Sequence, residues 1–203
     1  MKIICIGQNY LDHVKELKSA PTTEPMFFLK PDSAILLSQQ PFVIPEFSNE
    51  VEYEVEVLVK IKKLGKYIQT DFAHTYYEEI GLGIDFTARD LQRECKEKGH
   101  PWEKAKGFDG SDVIGKWISK QELGDLKNLD FSLRKNGAVV QSGTTADMIY
   151  TIDTLIAHVS KYMTLKIGDV LFTGTPKGVG PVAIDDKLTG FLSGKPMFAI
   201  NIK

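Results

Sequence analysis

Short period-two hydrophobic runs dominate the chain, broken by a few stretches of helical spacing. Residues 2–6 form an apolar run that stops at Gly7 and predict a short buried strand. In residues 8–17, Leu11, Val14 and Leu17 recur at three-residue intervals, the stripe of a short amphipathic helix. Pro21 and Pro25 bracket a loop that leads to residues 26–31, an apolar strand closed by Lys30 and Pro31. Residues 35–44 read as strand, turn at 38–41 and strand, and residues 65–77 as a turn and a short helix. Residues 80–85 are a glycine-interrupted apolar strand ending on Asp85. A helix over 88–98 stops at Gly99, with Pro101 beyond. Residues 101–110 are irregular, 131–133 and 139–141 form a hairpin across Asn136-Gly137, and 148–162 form a helix after a turn at 144–147. Residues 168–181 carry a buried strand into a loop rich in glycine and hydroxyls.

One stretch stands apart. In Glu50-Val51-Glu52-Tyr53-Glu54-Val55-Glu56-Val57-Leu58-Val59 a glutamate fills every second position from Glu50 to Glu56, predicting a strand with one apolar and one acidic face. Same-face neighbours lie about 7 Å apart on a strand. Like charges at that spacing repel by roughly 2 kcal/mol per pair at an effective dielectric near 20. Water can relieve that on an exposed face, the ordinary explanation of such a pattern. Apolar density rises at the later glutamates, however, and this favours a hard divalent cation with a third oxygen donor from elsewhere.

Other residues are candidates by position. His13 and Glu16, at i and i+3, share a helix face, and a carboxylate beside an imidazole fixes its tautomer and raises its basicity. Such pairs are also common on helix surfaces. Asp85 stands where a strand gives way to a helix, a place for a site residue or a cap. Arg89 and Gln92, three apart, can both face it. Lys30 closes a strand and could meet an anion, and Thr175 with its neighbouring N–H groups could bind a carboxylate. His74 and His158 read as structural.

Composition narrows the classes. The 203 residues are 42% apolar, ample for one domain spanning 1–203. A net charge of −2 with no lysine-rich stripe points away from nucleic acid and anionic membranes and leaves small-molecule substrates or protein partners. No apolar run approaches membrane-spanning length, and the first residues are too short for a signal-peptide core. A soluble, cytoplasmic protein is therefore expected. Cys5 and Cys95, far apart without C-x-x-C spacing, fit reduced packing residues.

Several stretches match one family together: Gly7-Gln8-Asn9-Tyr10-x-x-His13-x-x-Glu16, Glu54-Val55-Glu56, Asp85-Phe86-Thr87-Ala88-Arg89-Asp90-Leu91-Gln92, Lys98-Gly99-His100-Pro101-Trp102, Ala105-Lys106-Gly107-Phe108-Asp109 and Thr173-Gly174-Thr175-Pro176-Lys177-Gly178-Val179-Gly180. In order and over nearly the whole chain, they resemble the fumarylacetoacetate hydrolase superfamily, most closely its small acylpyruvase and oxaloacetate decarboxylase branch. The resemblance implies a mixed α+β fold, a predominantly β roll with a few short helices, and a homodimer with one divalent ion per subunit, Mg²⁺ or alternatively Mn²⁺ or Ca²⁺. Carried over residue by residue, Glu54, Glu56 and Asp85 match the metal ligands and Lys106 the active-site lysine. His13 and Glu16 match a catalytic dyad on a mobile lid, and Tyr10, Lys30, Arg89, Gln92 and Thr175 match substrate-binding positions. Two departures, His100 for a usual leucine and Gly110-Ser111-Asp112 for a usual Ser-Cys-Pro-like triplet, are expected near the mouth of the site.

The activity implied is metal-dependent C–C cleavage of a short 2-oxo acid. Lys106 would stabilise the enolate, and His13 with Glu16 would activate water to split an acylpyruvate into pyruvate and a carboxylic acid. Decarboxylation of oxaloacetate leaves the same enolate without water. Isomerisation of an unsaturated dicarboxylate of the 2-hydroxyhepta-2,4-diene-1,7-dioate type is an alternative within the family. A non-catalytic, metal-stabilised dimer that binds an oxo acid is an alternative of another class.

Overall fold

A computed structural model describes residues 1–17 and 22–203, so Pro21 of the first predicted loop lies outside it. In chain order β1 (Ile3–Gly7), α1 (Leu11–Glu16) and β2 (Met26–Lys30) lead to β3 (Val51–Tyr53) and β4 (Val55–Ile61). Next come α2 (Thr70–Ala73), β5 (Tyr77–Asp85), β6 (Thr87–Ala88), α3 (Arg89–Lys98) and α4 (Glu103–Lys106). The remainder is β7 (Asp112–Ser119), α5 (Lys120–Leu123), β8 (Asp130–Lys135), β9 (Ala138–Thr144), α6 (Ile152–Tyr162), β10 (Val170–Phe172), β11 (Gly180–Pro181), β12 (Lys187–Leu192) and β13 (Lys195–Asn201). The fold is mixed α+β and predominantly β, as expected.

Three sheets organise it. A six-stranded sheet runs β2-β1-β10-β4-β5-β7, with only β1 and β10 parallel; a three-stranded sheet runs β11-β3-β6 and a four-stranded one β13-β12-β8-β9. Alternation decides which side of the large sheet each residue serves. Val55, Val57, Val59 and Ile61 of β4, with Ile80, Leu82 and Ile84 of β5, enter the main core against Phe131, Leu133, Leu188 and helix α6. The intervening residues face the other way. There Ile3, Cys5, Leu58, Val170 and Phe172 make a second, smaller apolar cluster, and beside it lies the site.

Gly81 and Gly83 fall on this second face, and Gly83 is paired with Glu56. A Cβ on Gly83 would come within 2.1 Å of the Val113 carbonyl oxygen, so only glycine lets β7 approach β5 here. Helix α3 ends as its sequence predicts, with Gly99 left-handed at φ 65° and the His100 N–H closing onto the Cys95 carbonyl. The Asn136-Gly137 turn has φ of 53° and 88°, and both strands run longer than their apolar cores suggested.

Several expectations are corrected. Residues 35–44 hold no regular strand, only bridges from Ile35 to Asp112 and from Phe42 to Ile202. Pro41 and Pro45 lack N–H donors, and the chain there lies against the C-terminal segment instead, the Phe42 N–H on the Asn201 carbonyl. Residues 101–110 are not wholly irregular, since α4 lies within them. The last long helix begins at Ile152 rather than 148, because the Thr151 hydroxyl caps the Thr154 N–H. The acidic stretch is two strands. At Glu54 the chain leaves the small sheet and joins the large one.

Candidate active site

That switch between sheets places Glu54 at the junction and Glu56 one step into β4, while β5 brings Asp85 alongside, its N–H donating to the Glu54 carbonyl. All three are buried, and one oxygen from each lies within 4.8 Å of the others. They line a narrow cleft of about 30 Å³, room for roughly one water, with His13, Arg89, Gln92, Lys106 and Thr175. Wider grooves of about 430 and 500 Å³ open elsewhere, but neither gathers such a buried trio.

The repulsion expected along the acidic face is met one glutamate at a time. Glu50 pairs with Arg93 at the surface, Glu52 accepts from Arg89 Nε at 2.6 Å, and Glu54 is held by Arg89 Nη2 and by Lys106 Nζ at 2.9 Å. Lys106 also reaches Asp85 at 2.8 Å and the Thr87 hydroxyl at 2.6 Å. Glu56 alone has no cationic partner among the described residues. Its single hydrogen bond comes from the Gly174 N–H at 2.7 Å. Gly174 must be glycine: its φ is 100° and a Cβ would lie 2.8 Å from that of Asn9.

Protonation follows these contacts. Burial works against charging Glu54, but Lys106 and Arg89 outweigh it and hold the carboxyl well below the usual range. For Glu56, burial and then the carboxylates of Asp85 and Glu54 all push the same way, well above that range. Lys106 is driven upward in spite of its burial by Asp85 and Glu54. A site left with uncompensated carboxylate repulsion on one ligand and converging oxygens from three fits a hard divalent cation.

The expected dyad is formed. His13 Nδ1 lies 3.1 Å from Glu16 Oε2, and Glu16 Oε1 accepts from the Gly178 N–H at 2.9 Å, so the two sit between α1 and the glycine-rich loop. Nε2 is the His13 nitrogen left for the cleft. Arg89 and Gln92 also lie as expected on the cleft face of α3, with Gln92 Oε1 accepting from Arg89 Nη1, which leaves the amide NH₂ available. The Thr175 hydroxyl is already engaged, donating to the Val55 carbonyl and accepting from Gln141 Nε2, both at 2.9 Å.

Other expected site residues are placed elsewhere. The Lys30 ammonium is sealed behind Asp85, 2.8 Å from its Oδ1 and 2.6 Å from Asp112 Oδ1, and does not line the cleft. It fixes the Asp85 carboxylate from behind and offers the cleft no contact of its own. Tyr10 turns into the core, edge-on to Phe131, with its hydroxyl unpartnered among the described residues. Asp112 is no mouth residue: it is fully buried beside Asp85, its Oδ2 unpartnered, and burial lifts its carboxyl to about 7 against the opposing pull of Lys30. His100 is exposed on the outer side of Trp102. The sequence reading passed over Gln8, Met26, Phe28, Lys96 and Trp102, all of which line the cleft. Gln8 and Trp102 lie inside the matching motifs, and Lys96 stands one turn beyond Gln92, so helical spacing was a usable signal for it.

Three buried carboxylates, a buried lysine and a histidine–carboxylate pair thus meet at one cleft of a mixed-sheet scaffold, which makes it the candidate catalytic site. Residues 2–200 match the family described as fumarylacetoacetate (FAA) hydrolase C-terminal, and the chain belongs to that family. It is 43% identical over 194 residues to the oxaloacetate tautomerase YcgM of Escherichia coli, covering 95% of this chain and 89% of that protein. It is 40% identical over 192 residues to the mitochondrial oxaloacetate tautomerase FAHD1 of Homo sapiens, covering 95% and 87%. The crystal structure of fumarylpyruvate hydrolase from Pseudomonas aeruginosa in complex with Mn²⁺ and pyruvate superposes with a TM-score of 0.94 at 30% identity, over 100% of this chain and 89% of that one. Among the described residues no helix is long and apolar enough to cross a membrane.

Proposed function

We propose that the protein is a divalent-cation-dependent enzyme acting on short 2-oxo acids, and that its central reaction interconverts the keto and enol forms of an acid of the oxaloacetate class. The observation that carries this is the convergence of Glu54, Glu56 and Asp85 within 4.8 Å, with Glu56 lacking any cationic partner among the described residues. These three would hold Mg²⁺ or Mn²⁺, which when bound supplies Lewis-acid polarisation of the 2-oxo group. The remaining work falls to the chain. Lys106 offers a buried ammonium beside the carboxylates, where negative charge grows on the substrate oxygen. His13, oriented through Nδ1 by Glu16, uses Nε2 to take the proton from the carbon next to the 2-oxo group. Delivery of that proton to the 2-oxo oxygen completes the enol, and the reverse transfer restores the keto form.

The dyad also favours a second reading, hydrolysis of an acylpyruvate, in which the same His13 nitrogen draws a proton from water attacking the distal carbonyl. The Mn²⁺- and pyruvate-bound fumarylpyruvate hydrolase lends support to it. Both readings share the enolate, and decarboxylation of oxaloacetate reaches it without a base. The test follows the absorbance of the oxaloacetate enol with Mg²⁺, with Mn²⁺ and with EDTA. Equilibration should accelerate with either metal and return to the uncatalysed rate with EDTA; no acceleration with either ion would refute the proposal.

A further inference from the structure

The cleft holds one cation that the carboxylates do not consume. Arg89 is spent on Glu52 and Glu54, Lys106 on Glu54 and Asp85, and Lys30, behind the wall, on Asp85 and Asp112. Lys96 lines the same cleft and has no hydrogen bond or ion pair to any described residue. Arg89, Gln92 and Lys96 stand at i, i+3 and i+7 of α3 and so form one row along its face. That row carries Lys96 about 10 Å from Arg89 along the helix axis. Lys96 is exposed as a whole, yet its ammonium stands 5.4 Å from the centre of the Trp102 ring, itself packed against Phe28. Partial burial, with Arg89 nearby, lowers the proton affinity of the Lys96 amine, as for a cation short of counter-charge.

Met26, Phe28 and Trp102 add apolar wall to the cleft, and of the Lys and Arg side chains that line it Lys96 is the one without an anionic partner among the described residues. We propose that Lys96 is a specificity-determining residue that recognises a second, distal carboxylate, so that the preferred substrates are 2-oxo dicarboxylates rather than 2-oxo acids with a neutral tail. This rests on the proposed reaction and adds to it the residue that reads the far end of the substrate.

The experiment compares enol–keto interconversion of oxaloacetate and of its 4-ethyl ester, in which an ethyl group replaces the distal charge, using the Mg²⁺-loaded protein. Methionine suits an exposed helical position and keeps an apolar stem over Trp102, so Lys96→Met should fold. Wild type should prefer the diacid. Lys96→Met should lower kcat/KM for the diacid about 30-fold, mainly through KM, as expected for loss of a charge-assisted contact. The ester should change less than twofold, and Lys96→Arg should keep the preference. Equal losses on both substrates, or an unchanged diacid rate, would overturn the assignment of Lys96 while leaving the reaction standing. A wild type inactive on both substrates would overturn the reaction and this inference together.

Discussion

The floor of the site and the helix above it are held in different ways. On the sheet side, Glu54, Glu56, Asp85, Lys30 and Asp112 are buried on β-strands or their immediate extensions and Lys106 at the end of α4, and all but Glu56 are tied by ion pairs of 2.6–2.9 Å. Above them α1 is six residues long and carries no side-chain cap at its N-terminus. It is fastened across the cleft by the Glu16 contact to the Gly178 N–H and by an exposed pair, Asp12 with Lys177. A buried charge network resists any displacement that strands one partner. Surface pairs and a short helix yield easily. The floor is thus built to hold charge in place, while α1, the lid of the proposed mechanism, is fastened by contacts that cost less to break. On the proposed reaction α1 has to give way, since a cleft with room for about one water is too small for a four-carbon acid.

The sharpest way to break this contrast is at the floor. Glu56→Gln should abolish divalent-cation binding and every metal-dependent activity, yet raise the thermal midpoint of the metal-free protein, because it removes a carboxylate that burial and its neighbours disfavour. A lowered midpoint in the metal-free form would contradict the electrostatic account. Lys106→Met should lose activity and also cost about 3–5 kcal/mol of stability, measured by denaturant unfolding, since it strands Glu54 and Asp85.

At the lid, His13→Ala should slow tautomerisation and any acylpyruvate hydrolysis by roughly 10²–10⁴-fold while sparing decarboxylation, which needs no base. Equal loss of all three activities would refute that division of labour.

A subtler probe lies beneath the floor. With its folded pKa raised to about 7, Asp112 contributes stability that is present below the ordinary carboxylate range and lost as pH rises through about 7. In the metal-free state Asp112→Asn should therefore gain on wild type as pH goes from 4 to 8; parallel melting curves over that range would contradict this. The smallest effect belongs to Lys177→Ala. It should leave the thermal midpoint unchanged and alter only KM, through the lid.

How much of this was legible in the sequence follows the same divide. The period of two in residues 50–59 exposed Glu54 and Glu56, and the strand-to-helix junction exposed Asp85, because strand alternation and element ends are local properties. Helical spacing likewise placed His13 beside Glu16 and Arg89 beside Gln92. Which partner neutralises which carboxylate was not legible. Lys30, on β2, and Asp112, on β7, come from the two opposite edges of the six-stranded sheet and meet behind Asp85, a long-range contact that no local pattern encodes. Tyr10 sits in a motif that feeds the site, yet its ring is drawn into the core by Phe131. Strands β7, β12 and β13 went unread, although residues 187–192 alternate buried and outward positions and Ser193-Gly194 closes their hairpin. The apparent strands in residues 35–44 fail because two prolines withhold donors and the chain spends its hydrogen bonds on the C-terminal segment.

The most direct test of the carboxylate trio is a titration of the metal-free protein with Mn²⁺, reading free ion by electron paramagnetic resonance, in wild type and Glu56→Gln. The wild-type chain should bind one ion and the variant none. A wild type that leaves all Mn²⁺ free, or a variant that binds it as tightly, would contradict the site.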